Sequence, residues 1–270
     1  MGSCNGFLCL FRHNRKIDAF IFNISNPITG ESVPLPVNKE IGRPAHFGFG
    51  YSPISDVYKV VVFTSNEVNK HRFCCQLDVM VLTVGSVIWR RIGKVSNDMH
   101  GTREGVFHNG FLHWVCRCTE GFFIRAFDVE REGFKDLPMP PYYFHPDSIP
   151  RMRVLGGSLS VSDGRTLWVM KEYGVKRSWT KELEIGHDTI YPNDPYGSYI
   201  RCVSVLKFTE GKVLLLANTN LCLYTPETRT LVRVEIDGMP SGGFRFVADH
   251  IPSFVSPKDI IKDYLSKVPS

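Results

Sequence analysis

One unit of sequence recurs along this chain at a spacing that belongs to a repeat architecture. A Gly opens a short apolar strand, a gap follows, and a second apolar strand closes on a polar turn. Gly6-Phe7-Leu8-Cys9-Leu10 leads to Ala19-Phe20-Ile21-Phe22, and Gly110-Phe111-Leu112-His113-Trp114 leads to Ile124-Arg125-Ala126-Phe127-Asp128. Gly157-Ser158-Leu159-Ser160-Val161 precedes Leu167-Trp168-Val169-Met170, and Gly211-Lys212-Val213-Leu214-Leu215 precedes Leu221-Cys222-Leu223-Tyr224. These glycines lie 104, 47 and 54 residues apart, and the double interval holds a fifth copy, Tyr58-Lys59-Val60-Val61-Val62-Phe63 with Leu77-Asp78-Val79-Met80-Val81-Leu82. A period of roughly 50 residues in a strand-rich chain is that of kelch-like propeller blades. The expected fold is all-β: a kelch-like β-propeller of about five to six repeated antiparallel sheets. A single such sheet cannot bury both faces, so sheets must stack on their neighbours.

The strands are short, rich in Val, Ile, Phe, Trp and Tyr, and bounded by Gly, Pro, Asn and Asp. Second strands end on turn chemistry: Asn26-Pro27-Ile28-Thr29-Gly30, Asp128-Val129-Glu130-Arg131-Glu132-Gly133 and Thr225-Pro226-Glu227-Thr228. Asn and Asp side chains bond the backbone that follows them, Pro presets φ and Gly supplies positive φ. Thr230-Leu231-Val232-Arg233-Val234-Glu235-Ile236 alternates like a half-solvated outer strand. A short C-terminal helix is expected where Ser256 can cap, Pro257 suits the first helical position, and Ile260, Ile261, Tyr264 and Leu265 share a stripe. Residues 1–255 then form the propeller-like domain and 256–270 a helical tail. No strand pattern precedes Gly6, so Phe244-Arg245-Phe246-Val247 or Phe254-Val255 is expected to return and complete the first sheet, which would remove an open edge.

The 270 residues, 43% of them hydrophobic, suffice for one sizeable core. The formal charge of +5 is scattered, and stretches such as Trp89-Arg90-Arg91 read as solvated outer strands. Phosphate binding needs clustered charge, so nucleic acid is not an expected partner. Met1 to Phe11 has no basic leader and too short an apolar run for a cleavable signal, which points to a reducing cytoplasmic or nuclear compartment. The eight cysteines then read as thiols. Cys74-Cys75 and Cys116-Arg117-Cys118 lack zinc-ribbon spacing, while Cys9, Cys116 and Cys222 stand where apolar strand residues belong. No stretch approaches membrane-spanning length.

Catalytic motifs are missing from the sequence: there is no phosphate-binding loop, no nucleophile elbow and no H-E-x-x-H pair. His108, His113 and His145, with Asp128 and Asp147, come nearest to a cluster, yet His113 sits inside a strand beside Trp114 and reads as a packed, hydrogen-bonded core residue. No metal, cofactor or catalytic residue is expected. The alternative is a propeller whose cavity binds a small molecule or carbohydrate, in the manner of galactose-oxidase or lectin propellers, and it would require titratable groups gathered in one pocket.

Several motifs in order resemble the plant F-box-associated domain. They run from Gly2-Ser3-Cys4-Asn5-Gly6-Phe7-Leu8-Cys9-Leu10, through Asn26-Pro27-Ile28-Thr29-Gly30-Glu31 with Leu35-Pro36, to Phe47-Gly48-Phe49-Gly50-Tyr51-Ser52-Pro53 with Asp56-Val57-Tyr58-Lys59-Val60-Val61. Val79-Met80-Val81-Leu82 with Trp89-Arg90 follows, then Asn109-Gly110-Phe111-Leu112-His113-Trp114, and finally Leu167-Trp168-Val169-Met170 running into Ser178-Trp179-Thr180-Lys181. Each motif also has a packing role. Gly48 and Gly50 are expected to let the backbone turn between blades, Phe47, Phe49 and Tyr51 to offer rings to the inter-blade core, and Trp89, Trp114, Trp168 and Trp179 to serve as repeated anchors.

The resemblance implies a non-catalytic protein-interaction domain, the substrate-recognition part of an SCF-type E3 ubiquitin ligase F-box protein. It implies a target protein as partner, with SCF adaptor and cullin contacts supplied only where an F-box accompanies the domain. The chain opens on the segment that this family places after its F-box, so the F-box itself is expected to be absent. Target contacts are expected on two loops rich in aromatics, Pro and Gly, 140–147 and 191–199. Tyr142, Tyr143, Phe144, His145, Tyr191, Tyr196 and Tyr199 are the expected binding residues, because loops on a rigid scaffold carry recognition and Tyr gives large contact area at low entropy cost.

Overall fold

The computed structural model describes residues 2–64, 76–96, 103–142, 144, 150–186, 203–217, 220–238 and 250–267. The chain is an all-β, five-bladed propeller of antiparallel sheets with one short C-terminal helix. Each sheet is a meander of four consecutive strands. The first holds β1 (Gly2–Cys4), β2 (Phe7–Asn14), β3 (Ala19–Ser25) and β4 (Ser32–Pro34); the second holds β5 (Pro44–Ser52), β6 (Val57–Thr64), β7 (Gln76–Thr83) and β8 (Arg90–Ser96). The third holds β9 (Val106–His108), β10 (Phe111–Cys118), β11 (Gly121–Asp128) and β12 (Phe134–Leu137). The fourth holds β13 (Arg151–Leu155), β14 (Ser158–Ser162), β15 (Thr166–Met170) and β16 (Trp179–Glu184), and the fifth β17 (Val203–Thr209), β18 (Lys212–Ala217), β19 (Asn220–Thr225) and β20 (Thr230–Arg233). The helix α1 spans Pro257–Lys267.

The recurring Gly is the second residue of a two-residue hairpin turn that feeds the second strand of four of the five sheets. Asn5-Gly6, Asn109-Gly110, Gly156-Gly157 and Glu210-Gly211 all have positive φ at both positions, the backbone that matches the twist of the flanking strands. The second sheet makes this turn with four residues and places Asp56 at φ 49 instead, which is why its copy lacks the Gly.

Two compact units divide the chain: Met1–Glu120 with Ile124–Asp136 and Ala248–Ser270, and Gly121–Phe123 with Leu137–Val247. In the first, Phe47, Phe49, Val60, Val62, Met80 and Leu82 of the second sheet pack against Cys9, Phe22 and Ile24 of the first. In the second, Leu167, Val169 and Leu183 pack with Val213, Leu215 and Tyr224. One device recurs in both. The Trp89 indole donates to the Pro36 carbonyl at 2.8 Å, and the Trp179 indole donates to the Pro138 carbonyl at 3.0 Å. In each case a Trp at the start of an outer strand ties down a Leu-Pro exit from an earlier sheet, with Leu35 and Leu137 buried beside it. Trp114 is buried as expected, while Trp168 stays half-buried.

Two expectations are overturned. Gly48 and Gly50 lie inside β5 and turn nothing. A Cβ on Gly48 would stand 2.8 Å from Leu112 Cδ1 and 2.9 Å from Trp114 Cζ2, and one on Gly50 would stand 2.8 Å from Phe107 Cδ2. These glycines are therefore the space into which third-sheet side chains pack. Among the described residues the first sheet has its four strands without a returning one, because Gly2–Cys4 pairs with β2 in register Gly2↔Cys9 and Cys4↔Phe7. Three residues without apolar alternation carried no strand pattern. Residues 244–247 lie outside the described residues, and Phe254 and Val255 form no strand. They belong instead to a strap whose Ser253 and Val255 carbonyls accept from Asn26 Nδ2, both at 2.8 Å. The strap leads into α1, where Ser256 Oγ accepts from the Lys258 amide at 3.2 Å and Ile260 and Ile261 pack on the first unit's core.

Candidate target-binding face

One predicted loop precedes the fourth sheet in sequence and the other follows it. In a four-strand meander the first strand starts and the fourth strand ends at the same end of the sheet. The loop before Arg151 and the loop after Glu184 therefore leave from one end of sheet four. That end is closed by Arg165, whose carbonyl accepts from the Ile185 amide at 2.9 Å and whose Nη1 donates to the Gly186 carbonyl at 3.0 Å. Asp163 Oδ1 accepts from the Arg165 and Thr166 amides and holds the turn between β14 and β15.

Two of the seven predicted residues are described. Tyr142 is 41% exposed, while Phe144 is 5% exposed and turns inward. Their rings meet edge to face at 5.1 Å; Tyr142 also lies 5.9 Å from the Trp168 ring, and Phe144 lies 6.2 Å from that of Phe122. The result is an aromatic shelf with Phe144 as its support and Tyr142 as its exposed lip. The segment is stiff, since Pro140 and Pro141 precede it and the Tyr142 amide donates to the Pro140 carbonyl at 2.7 Å. Tyr143, His145, Tyr191, Tyr196 and Tyr199 lie outside the described residues. The sequence reading missed Trp168 as part of this shelf. Its indole nitrogen is buried without a hydrogen-bond partner, and strand periodicity gives no sign of which loop a strand residue meets.

Chemistry elsewhere is that of packing. His113 is buried and its Nδ1 lies 3.0 Å from the Val106 carbonyl; burial pushes its pKa down to about 3, so the ring is neutral at pH 7. Burial also raises the Cys4 thiol and pushes the Cys9 thiol up to about 12, and Cys116 and Cys222 are buried thiols outside any disulfide. Among the described residues no three His, Cys, Asp or Glu side chains gather to hold a metal ion. No described helix is long and apolar enough to cross a membrane.

One ionic network was not foreseen. Glu132 takes Arg90 through two bonds at 2.9 and 2.6 Å and Lys59 at 2.9 Å, while Glu130 accepts from the Ser52 and Ser55 hydroxyls. Burial alone would raise the Glu132 carboxyl, but the Arg90 and Lys59 hydrogen bonds hold it below the usual carboxylate range. The network clamps the β11–β12 turn onto the second sheet. Its only trace in the sequence is a Lys inside the apolar run Val57-Tyr58-Lys59-Val60.

Residues 1–259 match the family model of the F-box associated beta propeller domain. The chain belongs to that family. Among Arabidopsis thaliana relatives, one F-box protein is 29% identical over 89% of this chain and 66% of its own length. F-box protein CPR1 is 26% identical over 89% of this chain and 64% of its own length, and an F-box/kelch-repeat protein is 26% identical over 96% and 69%. This F-box associated domain thus spans about two thirds of those relatives. Among solved structures, TolB from Acinetobacter baumannii matches with a TM-score of 0.47 at 9% identity, over 84% of this chain and 52% of that one.

Proposed function

We propose that this F-box associated domain is the target-recognition part of an SCF-type E3 ubiquitin ligase, a non-catalytic module that binds a protein in the cytoplasm or nucleus and presents it for ubiquitination. The observation that carries the reading is the family match from residue 1 to 259, taken with the exposed Tyr142 ring lying beside Trp168 of the fourth sheet. Tyr142, Tyr143, His145, Tyr191, Tyr196 and Tyr199 are the proposed target contacts, with Phe144 as the buried support. Adaptor and cullin contacts belong to the F-box of such a protein.

The test is affinity capture from plant extract with the domain fused to an F-box, comparing wild type with a variant in which Tyr142, Tyr143 and Tyr196 are Ala. Capture of the main target should fall by an amount equivalent to about 2 kcal/mol or more, as at a hot spot. The unfolding midpoint should move by only a few degrees. A large fall in midpoint with unchanged capture assigns these rings to packing and refutes the assignment.

A further inference from the structure

The sequence holds three Ser/Thr-Pro steps, Ser52-Pro53, Thr225-Pro226 and Ser256-Pro257. A kinase whose pocket cannot satisfy the amide of the residue after the acceptor selects Pro there, because Pro has no N–H to leave unpaired. Such an enzyme also needs the acceptor's segment free of a sheet ladder. The fold withholds two of the three steps. Ser52 closes β5 fully buried, with its hydroxyl donated to Glu130, and Thr225 ends β19 opposite Thr230 in the fifth sheet. Ser256 ends the strap instead, a stretch in neither strand nor helix whose Ile251 and Phe254 are 71% and 85% exposed.

Ser256 is also where charge ties the strap to the first sheet. The Glu31 carboxylate, one residue before β4, accepts from the Ser256 hydroxyl and lies 3.2 Å from the Lys258 ammonium. The same hydroxyl accepts from the Lys258 amide at 3.2 Å. Ser256 is thus a donor to a carboxylate, and that role ends when a phosphoryl group takes the place of its proton.

We propose that Ser256 is a phosphorylation site for a proline-directed Ser/Thr kinase, and that its phosphate loosens the strap from the β3–β4 turn. In the transfer Ser256 Oγ bonds to the γ-phosphorus of the kinase's ATP, the hydroxyl proton passes to the kinase's base, and ADP leaves with the electron pair of the broken phosphoanhydride bond. The product carries about two negative charges and has no hydroxyl proton to give Glu31. It faces the Glu31 carboxylate as a like charge, and it takes the Lys258 amide and ammonium for itself. The helix α1 is kept, since negative charge suits a helix start, and what is lost is its link to the residue before β4. Two bonds from Asn26 and the packing of Ile260 and Ile261 remain. The inference involves none of the loop tyrosines and does not depend on the target-binding reading.

The test is incubation of the whole chain with magnesium ATP and a recombinant cyclin-dependent kinase, read by peptide mass mapping and by amide hydrogen exchange. Phosphate should appear at Ser256 and not at Ser52 or Thr225, and Ser256→Ala and Pro257→Ala should each prevent it. Protection from Val255 to Ile261 should then fall about tenfold, the factor expected when a doubly charged phosphate is set beside a carboxylate in water. Glu31→Gln keeps the acceptor and removes the like charge. That variant should be phosphorylated at the same residue without the further fall in protection, and Tyr142→Ala should behave as wild type. No phosphate at Ser256, phosphate that survives Pro257→Ala, unchanged protection after phosphorylation, or the same fall in Glu31→Gln would overturn the proposal.

Discussion

Replacing Asn26 should free the C-terminal strap, and the size of the effect follows from four contacts. The side chain is fully buried. Its Nδ2 donates to the Ser253 and Val255 carbonyls at 2.8 Å each, and its Oδ1 accepts from the Ile28 amide at 2.9 Å and, at the limit, from Thr29 at 3.4 Å. Three good bonds at about 0.5–1.5 kcal/mol net each give about 2–4 kcal/mol. Val255 is exposed and Ser253 half-buried, so water takes over the strap carbonyls and Asn26→Ala should lie near the lower end, about 2–3 kcal/mol. For a chain of this size that is about 4–5 °C of unfolding midpoint. Asn26→Asp keeps the turn acceptor and removes both strap donors, so it isolates the strap's share. Scanning calorimetry gives the midpoint, and amide hydrogen exchange reports protection from Val255 to Lys258. An unchanged midpoint together with unchanged protection would refute the account of Asn26 as the strap's anchor.

Three further outcomes follow from the same contacts. Gly50→Ala should destabilise by about 1–3 kcal/mol in urea titration through overpacking against Phe107, whereas Gly30→Ala, whose Cβ meets nothing within 4 Å, should cost about 1 kcal/mol through its backbone φ alone. Glu132→Gln should lose about 1–3 kcal/mol at pH 7. Because the folded Glu132 carboxyl sits below its unfolded value, that difference should be complete above about pH 4.3 and should vanish as pH falls through the folded pKa, as denaturant midpoints against pH will show. His113 acts through proton uptake by the unfolded chain. Its folded pKa near 3 lies below the unfolded value of about 6.5, so wild type should lose about 1.4 kcal/mol per pH unit as pH falls between those limits, and a folded His113→Gln variant should lack that part of the slope.

Local rules made the repeat legible. Asn5-Gly6 and Asn109-Gly110 can adopt paired positive φ, the apolar runs behind them are too short for helices, and the repeat period pointed to about five to six blades, of which the structure has five. The same locality accounts for the buried Cys9, Cys116 and Cys222, for the packed His113, and for a helix opening at Pro257 behind Ser256. Where a residue's partner is distant in sequence, the reading failed. Gly48 and Gly50 looked like turn residues because nothing in β5 announces that Leu112, Trp114 and Phe107 will fill the space above them. Asn26 looked like a turn former, and it is one, but its amide also holds carbonyls 227 and 229 residues away. Of the proposed site, composition singled out the loops, while only the structure shows that Tyr142 and Phe144 pack edge to face beside Trp168.

The sequence by itself determined the all-β class, the blade period and the hairpin turns, because each depends on φ preferences and on apolar spacing within a few residues. Only the tertiary structure decided that β5 glycines admit a neighbouring sheet, that Lys59, Arg90 and Glu132 form one clamp, and that the last described segment latches the first sheet. Those are pairings across blades. A periodic pattern fixes which face of a strand is buried, while the identity of the side chain that covers it is set by stacking.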